Sequence, residues 1–394
     1  MIILLSLAEM MAMGVWFSAS AVVPILTRLW RLDASGQAWL TMSVQIGFVA
    51  GALGSAVFNL ADRIAADRLL AVSSIAAGLC TAFISLFPGA FAVTLFLRFL
   101  SGMFLAGVYP VGMKLVATWT KEDRGLGIGV LIGALTVGTA SPHLFRIFGS
   151  LDQWKIVLYI AALCAVLGGL IAVVFVRSGP YSVKSPPFDW HCTGYIFRDR
   201  AILMANLGYL GHMWELYAMW TWVPIFMAVS FRMSGTNPKW AEVWAFSVIA
   251  MGGLGSVTAG KLADRLGRTT IAIWSLAISG SCCLTAGLFF GGNPILLVSL
   301  CLVWGFAVVA DSAQFSACVS ELARPEYMGT ALTLQTSLGF LLTLITIRLL
   351  PNAVEWIGWQ WAFSFLLLGP IVGICAMAAL RRSPSALKLA NGRR

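Results

Sequence analysis

Gly260-Lys261-Leu262-Ala263-Asp264-Arg265-Leu266-Gly267-Arg268 is a short charged stretch set between two long apolar runs, 241–260 and 270–290. A helix of about 20 apolar residues spans a bilayer core, so charges and glycines between two such runs mark a tight turn at a membrane surface. Working outward, further runs follow at 2–27, 39–58, 69–88, 91–113, 125–147, 154–176, 201–229, 294–318, 328–350 and 358–380. With 59% hydrophobic and 11% charged residues, the 394-residue chain cannot build a water-facing surface. The implied fold class is an all-α membrane protein of twelve transmembrane helices. Residues 2–27 read as the first span rather than a cleaved leader, because they have no basic n-region and carry Glu9.

The distribution of Lys and Arg sets the orientation. With both termini cytoplasmic, most of the 26 basic residues fall inside, leaving Arg28, Arg31, Arg146, Lys155, Arg232, Lys239 and Arg348 outside. The net charge of +10 is spread over short loops and the tail, with no basic tract suited to a phosphate backbone, so no nucleic-acid partner is expected. The longest polar stretch, 177–200, contains Pro180, Pro186 and Pro187 and reads as a cytoplasmic linker. It divides the chain into an N-terminal six-helix bundle (1–176) and a C-terminal one (201–380), followed by a basic cytoplasmic tail (381–394). The halves repeat one another: Val23-Pro24-Ile25 matches Val223-Pro224-Ile225, Ala61-Asp62-Arg63 matches Ala263-Asp264-Arg265, and Gln153-Trp154 matches Gln360-Trp361.

The 260–268 stretch closely resembles the signature loop of the major facilitator superfamily, and the six-plus-six layout carries the resemblance over essentially the whole chain. The resemblance implies two pseudo-symmetric bundles and secondary transport by alternating access. It implies that Asp264, with Arg265 and Arg268, pairs near the start of span eleven as a conformational latch; an ordinary charged turn is the alternative. The first-half counterpart keeps Asp62 and Arg63 but lacks the glycines and the final arginine of the pattern. Arg98 with Gly102 is similar to the family's Arg-xxx-Gly motif in span four.

Charged groups inside spans are costly and mark functional candidates. Arg98, Gly102, Leu105 and Tyr109 share a face if span four is one continuous helix, which would place Arg98 and Tyr109 on a common path; snorkelling or structural pairing of Arg98 is the alternative. The intramembrane acids are Glu9 on span one, Glu215 on span seven and Asp311 on span ten. An acid whose surroundings change with conformation can take up and release a proton. Glu215 is best placed, with His212 three residues earlier on the same face. Asp311 with Gln314 forms a similar pair nearer the cytoplasm, and Glu9 lies toward the cytoplasmic end of its span, within reach of the interface. A structural ion pair or interhelical hydrogen bond is the alternative for Glu215.

The cysteines are scattered without metal spacing, so neither a metal nor a cofactor is expected. No P-loop, nucleophile elbow or HExxH run occurs, and no enzymatic activity is expected. Gly133 and Gly138 are not followed by the proline of the drug–proton antiporter pattern, and the nitrate signature is missing. Tyr109-Pro110-Val111-Gly112 and the stretch from Trp119 to Gly125 look similar to nitrate and organic-anion porters. The expected function is proton-coupled transport of a small solute, an organic anion among the candidates, by a monomer in the cell (inner) membrane. Export of amphipathic compounds and a non-transporting membrane receptor are the alternatives.

Overall fold

In hydrocarbon, main-chain N–H and C=O groups find partners only in one another, so a chain of this composition resolves into helices. The computed structural model describes residues 1–120, 124–146, 153–181, 193–324 and 326–393, leaving aside the side chains of residues 61, 62, 124, 193, 195 and 197. In order, the helices are α1 (Ile2–Ala21), α2 (Val23–Trp30), α3 (Ala34–Val57), α4 (Leu60–Arg63), α5 (Ala66–Ile84), α6 (Phe91–Leu105), α7 (Tyr109–Trp119), α8 (Arg124–Phe145) and α9 (Trp154–Phe175). They continue with α10 (Thr193–Arg198), α11 (Arg200–Met233), α12 (Trp240–Leu266), α13 (Arg268–Thr285), α14 (Pro294–Ala310), α15 (Ser312–Leu322), α16 (Met328–Ala362) and α17 (Leu368–Arg382). A 3₁₀ segment, Pro384–Gly392, follows, and no strand occurs among the described residues.

Eleven helical stretches among the described residues are long and apolar enough to cross a membrane, with α6–α7 and α14–α15 each forming one stretch. They coincide with eleven of the twelve expected spans. The remaining expected span, 201–229, lies in α11, whose 34 residues reach about 50 Å. It carries the polar residues Asn206, His212 and Glu215. Leu, Ile and Phe side chains such as Phe96, Leu163, Leu170, Ile295 and Leu296 stand exposed on the helices, as lipid-facing positions require.

The turns follow from local chemistry. Gly89 and Gly291 adopt positive φ (84° and 72°) at the hairpins α5–α6 and α13–α14. Asn293 then accepts a hydrogen bond from Ile295 N at 2.9 Å and, with Pro294 in the first helical turn, starts α14. Asp33 and Asp199 cap α3 and α11 in the same way.

Three expected features are corrected. Expected span four is not one continuous helix: α6 ends at Leu105 and α7 begins at Tyr109, so helical periodicity does not carry from Arg98 to Tyr109. Span ten is likewise divided, at Asp311. Span one breaks at Val22, whereas Pro224, matched to Pro24 by the repeat, sits inside continuous α11. The long α16 contains a non-helical Gly358 (φ 72°, ψ 166°) that separates the eleventh span from the approach to the twelfth.

By packing, the chain divides into two compact units. Unit 1 comprises 1–127, 134–184 and 239–247; unit 2 comprises 128–133, 185–238 and 248–394. The division at 184/185 falls inside the expected 177–200 linker, of which 182–192 lie outside the described residues. In unit 1, α1 and α5 pack on α9, and α3 packs on α6; in unit 2, α11 packs on α16 and α17, and α13 on α14 and α17. The expected basic tail is folded: Ala386 and Leu389 are buried, and the 3₁₀ segment packs on α15 and α17.

Each unit contains one backbone-to-backbone helix contact of the same design. A Cβ on Gly102 (α6) would sit 1.9 Å from Val44 O, and one on Gly51 (α3) would sit 2.3 Å from Met103 O. In unit 2, a Cβ on Gly305 (α14) would sit 1.8 Å from Val248 O, and one on Gly255 (α12) 2.1 Å from Phe306 O. Small residues are what allow lipid-embedded helices to approach so closely. Gly102→Leu is expected to destabilise unit 1 by at least about 2 kcal/mol and to abolish the monodisperse size-exclusion peak in detergent. Gly54→Ala, whose added methyl meets nothing within 4 Å, is expected to leave that peak unchanged.

Candidate functional site

α11 carries two ionisable side chains into the interior of unit 2. Glu215 is fully buried and accepts three side-chain hydrogen bonds. Its Oε1 takes one from Trp304 Nε1 at 2.5 Å and one from Cys283 Sγ at 3.1 Å, and its Oε2 takes one from Ser279 Oγ at 3.0 Å. Ser279 and Cys283 lie one turn apart on α13, and Trp304 comes from α14. None of the three donors is charged. The indole can only donate, whereas the hydroxyl and thiol can rotate and accept. The setting therefore satisfies the carboxylate and leaves Ser279 or Cys283 able to receive a hydrogen bond from the carboxylic acid. A buried carboxyl that both takes and releases a proton needs such a reversible setting.

His212 does not partner Glu215, despite sharing its helix face. Its Nδ1 lies 2.8 Å from Asp311 Oδ1, with both side chains 1% exposed. The break between α14 and α15 places Asp311 at a helix junction, and the rings of Tyr209 and Phe315 flank His212 at centroid distances of 6.1 and 5.6 Å. Gln314, expected to pair with Asp311 through its side chain, instead accepts from Arg268 Nη1 at 3.3 Å.

Arg268 anchors a second cluster at the start of α13. Its Nε donates to Glu321 Oε1 and Oε2 at 2.9 and 3.0 Å, and its Nη2 to Oε1 at 2.6 Å. Glu321, near the end of α15, also accepts from Ala390 N of the 3₁₀ segment at 3.0 Å. Asp264, near the end of α12, stands 3.7 Å from Arg268 across the Gly267 turn, and its carbonyl accepts from Arg393 Nη1 at 2.5 Å. Arg265 and Arg63 are exposed. The side chain of Asp62 lies outside the described residues.

In unit 1, Arg98 is fully buried, and its contacts differ from both expectations for it. Nε donates to Leu40 O at 3.1 Å, Nη1 to Val15 O at 2.9 Å and Nη2 to Trp16 O at 2.5 Å, so carbonyls of α1 and α3 hold the guanidinium. Ser18 Oγ lies 3.5 Å from Nη1, and no carboxylate forms an ion pair with Arg98 among the described residues. Glu9 is also fully buried rather than reaching the interface; its two oxygens have no hydrogen-bond partner among the described residues. Tyr109, partly buried, is within electrostatic reach of Glu9.

Sequence reasoning missed Ser279, Cys283, Trp304 and Glu321. Glu321 alone carried a visible signal: an acid three residues past the end of the apolar run 294–318, in a chain rich in basic loop residues.

Two units of membrane-length helices, divided at matching points and bearing ionisable groups in their interiors, have the architecture of a multi-pass membrane transporter. Residues 5–347 match the family model of the Major Facilitator Superfamily, and the chain belongs to that family. It is similar to the niacin transporter NiaP of Acinetobacter baylyi, 26% identical over 330 residues, which cover 72% of this chain and 70% of that protein. The benzoate transport protein of the same organism is 22% identical over 356 residues, 79% of this chain and 73% of that protein. Solute carrier family 2, facilitated glucose transporter member 10, of Danio rerio is 31% identical over 140 residues, 34% of this chain and 26% of that protein.

Breaking the Arg268–Glu321 pair leaves a largely buried guanidinium short of its partner. Glu321→Ala is expected to cost roughly 2 kcal/mol, less than a fully buried pair would, because Glu321 is partly exposed. A fall in melting temperature in detergent checks this, and Glu321→Asp is expected to recover part of the loss.

Proposed function

We propose that the chain carries a small organic anion across the cell membrane by alternating access, with protons as the coupling ion. The observation that carries this reading is Glu215, a fully buried carboxyl held by neutral donors of which two can reverse their hydrogen bonds. His212 and Asp311, on the same and a neighbouring helix, supply a second pair able to exchange a proton. A carrier needs a group that is stable in the membrane with and without its proton, and reversal of the Ser279 and Cys283 bonds provides that.

Two observations support an anion as cargo. Niacin and benzoate, named for two of the relatives, are both small aromatic carboxylates. The guanidinium of Arg98, held by carbonyls and without a carboxylate ion pair among the described residues, supplies a cation inside unit 1. Glu9 serves as an additional acid of unit 1 near Tyr109. The Arg268–Glu321 pair, with Asp264, holds one end of unit 2 as a conformational latch. The distribution of Lys and Arg supports cytoplasmic termini. On this reading the chain acts as a carrier, as the family and the relatives' names support.

The sign of the coupling is testable. Protons entering with the anion make uptake into proteoliposomes faster when the outside is acid than at equal pH. Glu215→Gln keeps the shape and most hydrogen bonds of the side chain but cannot ionise. It is expected to remove this acceleration, a loss of about tenfold or more, while exchange of labelled for unlabelled substrate persists. Full acceleration by an acid exterior in Glu215→Gln would contradict the assignment.

A further inference from the structure

Three ionisable side chains that take no part in the sites above meet at the end of α8. His143 Nδ1 lies 3.0 Å from Glu242 Oε2. Arg146 Nη1 bonds to Glu242 Oε1 and also donates to Ala21 O, the latter at 3.1 Å. Both segments, 134–184 and 239–247, belong to unit 1. Arg146 and Glu242 keep 15% and 14% of their side-chain surface exposed. His143 is buried, and its Nε2 has no hydrogen-bond partner among the described residues. The distribution of Lys and Arg places Arg146 and Lys239 on the side opposite the termini.

Glu242 therefore offers one carboxylate oxygen to each of two donors three residues apart, one in the last turn of α8 and one just past its end. A small organic carboxylate presents the same pair of oxygens with the same charge. It can take the same two donors when Glu242 turns away, which its partial exposure permits. Arg146 and Glu242 cancel one another, so a neutral imidazole leaves the cluster neutral. A protonated imidazole leaves it one positive charge in excess, which an incoming carboxylate neutralises. The ionisable groups in contact with or adjoining His143 are Glu242 from α12 and Arg146 from its own helix. From α1 comes the Ala21 carbonyl, and Lys239 stands one turn before Glu242.

We propose that His143 and Arg146 form an outer entry site for organic carboxylates, which Glu242 occupies as an internal surrogate until the substrate displaces it. This rests on reading the chain as an organic-anion carrier. It adds a recognition step distinct from Glu215 and names the chemical group recognised.

The test uses the full-length protein with benzoate and niacin as probes and the uncharged amides benzamide and nicotinamide as controls. In proteoliposomes, Glu242→Gln, which removes the competing carboxylate, is expected to lower the KM for the carboxylates by about fivefold. Arg146→Gln is expected to raise it by about tenfold with little change in kcat, and Arg146→Lys to recover part of that loss. A KM for Glu242→Gln equal to or above that of the unaltered protein overturns the surrogate role.

An independent arm needs no variant at the cluster. The chain has three histidines, so the imidazole signals of isotope-labelled protein can be assigned with His191→Gln and His212→Gln. The His143 signal is expected to shift on adding benzoate and to stay in place with benzamide; a signal unmoved by benzoate at saturating concentration overturns the proposal. If the unaltered protein transports and binds no member of a panel of monocarboxylates, the organic-anion reading itself fails and this site falls with it. If it transports benzoate while both arms are negative, only this site falls.

Discussion

Within a helix bundle bounded by hydrocarbon, an ionised carboxylate persists only where hydrogen-bond donors replace the water it has lost. Glu215 meets that requirement through Ser279, Cys283 and Trp304. Much of unit 2 is arranged around this necessity. α13 must present two small polar groups one turn apart, α14 must aim an indole inward, and both must pack against α11 closely enough for side-chain contact. The chain supplies α13 with Ser279, Gly280, Cys282 and Cys283 on buried positions, a composition that keeps the helix slim where the carboxylate enters. Because none of the donors carries a charge, the site does not commit the carboxyl to one protonation state, as a salt bridge would.

The duplication shows how one backbone plan accepts two chemistries. The glycine contacts of α3 with α6 recur between α12 and α14, and the breaks after Leu105 and Ala310 fall at corresponding places. The side chains on that shared frame have diverged. Where α6 carries Arg98 four residues before Gly102, α14 carries Cys301 four residues before Gly305. Unit 1 thus buries a cation among carbonyls, and unit 2 buries acids among neutral donors and a histidine. A break inside a span frees backbone groups that only a protein-lined interior can accommodate, and in unit 2 that junction is where Asp311 meets His212.

Much of the architecture was legible as sequence because the bilayer imposes a length on every apolar run. The breaks inside spans four and ten were not, since an apolar run looks the same whether or not its helix is interrupted. The importance of Glu215 could be read from an acid standing in an apolar span, but its partners could not. Ser279, Cys283 and Trp304 lie 64, 68 and 89 residues away, and helical spacing pointed to His212 instead. Tertiary packing decided that competition: Asp311, on another helix, takes the imidazole. Nor does anything local show that three carbonyls of α1 and α3 converge on Arg98.

The central claim is that Glu215 exchanges a proton as part of the transport cycle, and its most direct test counts protons rather than substrate. Purified protein in weakly buffered detergent solution would be mixed with saturating benzoate while the pH is recorded, with benzamide as the control. A net uptake of about one proton per substrate bound, absent in Glu215→Gln that still binds benzoate, is the result this account predicts. The same proton uptake in Glu215→Gln as in the unaltered protein would contradict it.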